Sequence, residues 1–272
     1  RVEGQPLVAL TTGWHERSAE EKWNWTAQEA QIQAYTQSEG DFRLAFNAQA
    51  FHQSRQLLFR VNGQPLYTTT VHYDRRFITP AFQLTAGANE MTLTSKEPCA
   101  RPTQVVSGSL DARCLSFMVS QVEWLSATQT FGSAEARAQF GDYFRLLGYD
   151  LDVAQARPGG RVEMVLYWQV LKPPDRDYTV FNQLYNAQGL RGGQHDSPPL
   201  GGSYPTTWLG AGEVVRDQYH IPIAEDAPPG PYDLLIGWYH APTGARLPLL
   251  QKNADSYQDG LILTQTEVRP LP

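Results

Sequence analysis

Charge is scarce in this sequence. Only 18% of its 272 residues are Asp, Glu, Lys or Arg, and 22 basic side chains face 28 acidic ones, for a net charge of -6. No cluster of Lys or Arg offsets that average, so the electrostatic footprint of a nucleic-acid binder is missing and no nucleic-acid partner is expected. No apolar run approaches the ~20 residues that cross a bilayer, and attachment to a membrane is expected only through a segment absent from this chain. The sequence opens at Arg1 with neither an initiator Met nor a signal-peptide pattern, which predicts a piece excised from something longer. Helical periodicity and βαβ alternation are also lacking, which excludes a Rossmann-type sheet. Cysteine is limited to Cys99 and Cys114. They flank a loop-like segment and leave two readings open: a disulfide worth about 3 kcal/mol, implying an oxidising compartment, or two buried thiols.

Aromatic and turn residues are plentiful. Seven Trp, 13 Tyr and 11 Phe accompany 22 Gly and 19 Pro, a composition that suits β-sandwiches with Gly- and Pro-built turns. Between residues 26 and 124 the apolar residues recur with period 2. Ala30, Ile32 and Ala34 form one such set; Phe42, Leu44 and Phe46 a second; Leu57, Phe59 and Val61 a third. The third ends at Asn62-Gly63, whose preference for positive φ at both positions predicts a hairpin with the next strand starting near Gln64. Phe82 and Leu84, Met91 and Leu93, then Leu115, Phe117 and Val119 extend the meander. Residues 1–127 are therefore expected to form a jelly-roll-like sandwich. The small and polar residues of 128–141 read as a linker with at most a short helix over SAEARAQ.

Beyond the linker the strands are stronger. Val162, Met164, Leu166, Trp168 and Val170 share a face, as do Tyr232, Leu234, Ile236 and Trp238. About seven short strands with turns roughly every ten residues predict an immunoglobulin-like sandwich over 142–272. The fold class is thus all-β, two tandem antiparallel β-sandwiches, jelly-roll-like and then immunoglobulin-like. Within the second, the stretch from Gly193 to Tyr219 reads as a crossover between sheets, with Trp208 as the apolar plug that holds it down and Asp196 and Asp217 satisfying turn amides.

No catalytic constellation is evident. Asp196 with Asp217, or Glu16 with Glu20 and Glu21, are the visible carboxylate pairs for a glycosidase, but with 28 acids such pairs arise freely. There is no G-x-S-x-G turn, no phosphate-cradling glycine loop and no calcium loop, and the six His are scattered singly, so neither a metal nor a cofactor is expected. The densest local feature is GWHERSAEEKWNWT, residues 13–26. Trp14, Trp23 and Trp25 beside His15 and Glu16 are the ingredients of a glycan platform, in which sugar C–H faces pack on rings and hydroxyls pair with polar groups. The alternative is that two of these tryptophans plug one end of the sandwich.

Residues 144–268 resemble the extracytoplasmic C-terminal β-sandwich of bacterial membrane glycosyltransferases of the dolichyl-phosphate-mannose-type, polyprenyl-linked superfamily. The likeness is carried by Gln194 and Asp196, Tyr204-Pro205-Thr206, Trp208, Gly212-Glu213, Asp217, Pro229-Gly230-Pro231-Tyr232 and Gly244-Ala245-Arg246-Leu247, in order and spacing. The first half is similar to the companion domain through GWHE at 13–16, Trp23-x-Trp25 and DARCLSFMVSQVEW at 111–124, departing from that pattern at Cys114 and Ser116. In such enzymes the membrane portion carries the chemistry, so the resemblance implies no catalytic residue here. It implies a non-catalytic, membrane-tethered domain outside the cytoplasm, positioning or recognising a glycan or glycoprotein acceptor. A free carbohydrate-binding module and a self-assembling surface-layer or filament component are the alternative expectations.

Overall fold

The computed structural model describes residues 5–15, 23–250, 256–257 and 259–271. It is built almost wholly of strands and divides into two compact units, one of Arg1–Gln129 with Gly210–Val214, the other of Thr130–Leu209 with Val215–Pro272.

The first unit holds β1 (Leu7–Leu10), β2 (Asn24–Trp25), β3 (Glu29–Thr36), β4 (Gly40–Ala50), β5 (Arg55–Val61), β6 (Gln64–Val71), β7 (Arg75–Ile78), β8 (Phe82–Leu84), β9 (Gly87–Ser95), the short helix α1 (Pro102–Val105) and β10 (Phe117–Ser126). One sheet runs β1-β3-β9-β5-β6; the other runs β2-β10-β4-β7 with β8 also paired to β4. The alternation read from sequence is the alternation seen. Ile32, Ala34, Leu57, Phe59, Met91 and Leu93 from the first sheet close on Leu44, Phe46, Phe77, Phe82, Phe117 and Val119 from the second in a single core. Each Leu, Ile, Val, Met or Phe of such a core is worth roughly 1.5–3 kcal/mol of burial. The Asn62-Gly63 turn has φ of 49° and 77°, and β6 starts at Gln64, paired with Val61. β8 departs from the expected meander by pairing with β4 rather than β9.

Cys99 and Cys114 are joined in a disulfide. It closes a loop of sequence separation 15 around α1, which by loop-closure entropy contributes about 3 kcal/mol. The Cys99→Ser/Cys114→Ser double variant is accordingly expected to melt lower by several degrees, measured by thermal unfolding of the intact chain; an unchanged melting temperature would place the loop outside the cooperative fold.

The second unit comprises β11 (Ala134–Phe140), β12 (Phe144–Asp152), β13 (Arg161–Val170), β14 (Thr179–Asn186), β15 (Arg191–Gln194), a 3₁₀ turn (Thr206–Trp208), β16 (Val214–Pro222), β17 (Gly230–His240), β18 (Ala245–Arg246), β19 (Ser256–Tyr257) and β20 (Gly260–Val268). Its sheets are β11-β12-β13-β16 and β15-β14-β17-β20-β19, with β18 on β17. At the centre of the core Trp238 stacks on Phe144 at 3.8 Å and meets Trp168 edge-on at 5.0 Å.

The segment expected as a linker with at most a short helix is instead largely β11, paired with β12 from Ala134 to Phe140. Ala, Glu, Arg and Gln all favour helix locally, but Ala138 and Phe140 bury in the core while Glu135 and Arg137 face solvent. Pairing along β12 overrides the local preference.

Candidate functional site

The aromatic group of the first unit is only partly assembled as a platform. Trp14 bridges Thr26 and donates its indole N–H to the Gln31 carbonyl at 2.7 Å, with its ring against the core. His15 donates from Nε2 to the Cys114 carbonyl at 2.9 Å, and its backbone N–H donates to Trp25. Trp25 meets Phe51 edge-on at 5.6 Å. Trp14, His15 and Trp25 are thus brought together, with Trp23 beside them in sequence, and all four are half-buried. Glu16, together with Glu20 and Glu21, lies outside the described residues. The indole of Trp14 is committed to holding the chain and is not an open face.

The crossover of the second unit is anchored by more than Trp208. Tyr204 and Leu209 are buried, and Thr206 accepts the Tyr178 backbone N–H at 3.0 Å, while Trp208 is half-buried and edge-on to Tyr204 at 5.3 Å. Asp217 points inward from β16, completely buried. Its carboxylate accepts the Leu200 backbone N–H at 2.8 Å and the Tyr219 hydroxyl. Burial pushes its pKa up to about 7, against the opposing pull of those two donors. The same burial, added to the Asp217 charge, raises Tyr219 well above the usual phenol range. Asn182, inward on β14 and completely buried, donates to the His195 carbonyl at 3.0 Å and lies within reach of the Tyr219 hydroxyl. His195 is edge-on to Tyr219, 5.8 Å between ring centres. This is a polar knot inside a sandwich core.

Asp196 differs from the expectation of a turn cap. It projects beside β14, where the Asn182 backbone N–H and the Gln183 amide face its carboxylate, and one oxygen makes no hydrogen bond within the protein. Burial raises its pKa, partly offset by those donors. Asp196 and Asp217 therefore serve different surroundings and do not form a facing pair of acids. Among the described residues no three of His, Cys, Asp and Glu come together as a metal-binding group.

Gln183 leads from Asp196 to a groove of about 400 Å³ on the face of β14, β17 and β20 turned away from the core. Its floor is Leu235 and Ile262, which are register partners across β17 and β20. Tyr185 and Gln183, on β14, pair with Asp233 and Leu235 on β17, so all four side chains share one face. The Tyr185 hydroxyl donates to Gln183 at 3.3 Å, and Asp233 accepts the Gln265 amide at 3.0 Å. The hairpin turn at Asn186, Ala187 and Gly189 walls one end and Arg246 the other. Arg246 lies 4.5 Å over the Phe181 ring, and that ring covers Gly237 so closely that a Cβ there would sit 2.4 Å from it. The guanidinium makes a cation–π contact with that ring. An apolar floor, an aromatic wall and a few fixed polar groups are the usual make-up of a small-ligand site.

No protein-family model and no curated protein matches the chain. Solved structures that resemble it include a ruminal GH26 endo-β-1,4-mannanase (13% identity, 42% of this chain, 21% of that one, TM-score 0.29). A putative β-galactosidase from Bacteroides fragilis (9%, 89%, 40%, 0.24) and a Bacteroides uniformis β-glucuronidase (10%, 87%, 28%, 0.28) are also similar. The chain spans less than half the length of each of these three.

Proposed function

We propose that this chain is the non-catalytic, extracytoplasmic β-sandwich region of a bacterial membrane glycosyltransferase or a related cell-envelope protein, and that it recognises or positions a glycan or glycoprotein acceptor. The observation that carries this reading is the groove over β14, β17 and β20: an aromatic wall and apolar floor for sugar C–H faces, beside Asp233 and Arg246 for hydroxyls. The Cys99–Cys114 disulfide supports an oxidising compartment. Among the described residues no helix is long and apolar enough to cross a membrane.

Affinity electrophoresis through gels containing envelope polysaccharides tests the reading. Retardation of the wild-type chain is expected, with a loss of roughly tenfold in affinity for Tyr185→Ala and little change for Trp25→Ala. Loss of binding in Trp25→Ala at an unchanged melting temperature would move the site to the first unit. A chain retarded by no polysaccharide would contradict glycan recognition altogether.

A further inference from the structure

We propose that the groove selects a short neutral saccharide and rejects one bearing uronate or other anionic groups, an inference that rests on the reading of the groove as a glycan site. Its polar groups define what a ligand must offer. Asp233 is a carboxylate and accepts only, already taking the Gln265 amide on one oxygen. Gln183 has its carbonyl engaged by the Tyr185 hydroxyl and its amide directed at Asp196, so it presents the same wall backed by a second carboxylate. Arg246 donates only. A hydroxyl satisfies both kinds of partner because it donates to Asp233 and accepts from Arg246. A carboxylate or phosphate satisfies Arg246 alone and faces Asp233 with no proton to give, and Asp196 lies behind Gln183.

The dimensions set the length. Three strands at about 4.8 Å spacing give a floor about 10 Å across, and the step from Asp233 to Leu235 adds about 7 Å along it. That floor suits one or two pyranose rings lying flat, not a long chain end-on.

Isothermal titration of the full chain tests this with the trisaccharides of glucose, mannose, galactose and N-acetylglucosamine, each linked β-1,4, against trigalacturonate. At least one neutral trisaccharide is expected to bind, with trigalacturonate weaker by about tenfold or more. Asp233→Asn is expected to narrow that gap severalfold by removing the charge while keeping the shape, and Asp233→Ser serves as a second variant should the first alter the melting temperature. Trigalacturonate binding as tightly as the neutral sugars, or a gap unmoved in both variants, would overturn the selectivity and leave glycan recognition standing. Binding of none of the five sugars would overturn both.

Discussion

Replacing Asp217 by asparagine is expected to stabilise the second unit at pH 8 and to leave it nearly unchanged at pH 4. The unfolded carboxyl titrates near 3.8, whereas the folded one, completely buried, titrates at about 7. Between those values the folded chain holds a proton that the unfolded chain has released. The stabilising contribution of the neutral acid is therefore complete below about pH 4, declines as pH rises, and is gone above about pH 7. Three pKa units correspond to roughly 4 kcal/mol, a large fraction of the 5–15 kcal/mol by which a domain is ordinarily stable. Asparagine keeps the acceptor for the Leu200 N–H and supplies a donor toward the Tyr219 oxygen. The Tyr219 proton then turns to the Asn182 carbonyl oxygen, which has no hydrogen-bond partner within the protein. Denaturant unfolding at a series of pH values checks this. The wild-type curve should fall relative to that of Asp217→Asn from pH 4 to 7, and parallel curves would show that Asp217 carries its charge in the core at no cost.

The first unit has its own buried charge, and breaking it is expected to cost about 3–5 kcal/mol. Glu213 is completely buried, with Arg75 at 2.7 Å, the Thr69 hydroxyl at 2.9 Å and the Gly210 N–H at 3.0 Å. The Arg75 guanidinium also lies 3.7 Å over the Phe77 ring. Glu213→Ala strands a buried guanidinium, and Arg75→Ala strands a buried carboxylate; each removes the compensation that makes burial of the other tolerable. The double variant Arg75→Met/Glu213→Leu should recover most of the loss, because it removes the desolvation penalty together with the attraction. Chemical denaturation of wild type, Arg75→Met, Glu213→Leu and the double variant gives the coupling directly. Single variants within about 1 kcal/mol of wild type would mean that the pair contributes as an exposed one does.

Much of the fold was legible because its signals are local. Asn62-Gly63 specified a hairpin through backbone sterics, and the alternation along β3, β5 and β13 specified which side chains turn inward. β11 was not legible, since Ala134 to Phe140 favour helix until β12 supplies ladder partners. Asp217 satisfies a turn amide as expected, that of Leu200, but does so from the core, because Val215, Tyr219 and Ile221 around it alternate inward. Extending that alternation by one position places the carboxyl in the core.

The groove was the least legible part. Gln183, Tyr185, Asp233, Leu235, Arg246 and Ile262 come from four separate strands, and no spacing rule joins them. The tryptophans of residues 13–26 drew the eye instead because they are close in sequence, yet their half-buried rings and the bond from Trp14 to Gln31 tie them to the fold.

The most direct measurement is a backbone and methyl chemical-shift map of the isotope-labelled chain titrated with the tightest-binding neutral trisaccharide. Shifts concentrated at Gln183, Tyr185, Asp233, Leu235 and Ile262 are the predicted result. Shifts centred on Trp14 and Trp25, or none at saturating sugar, would contradict the assignment of glycan recognition to the second unit.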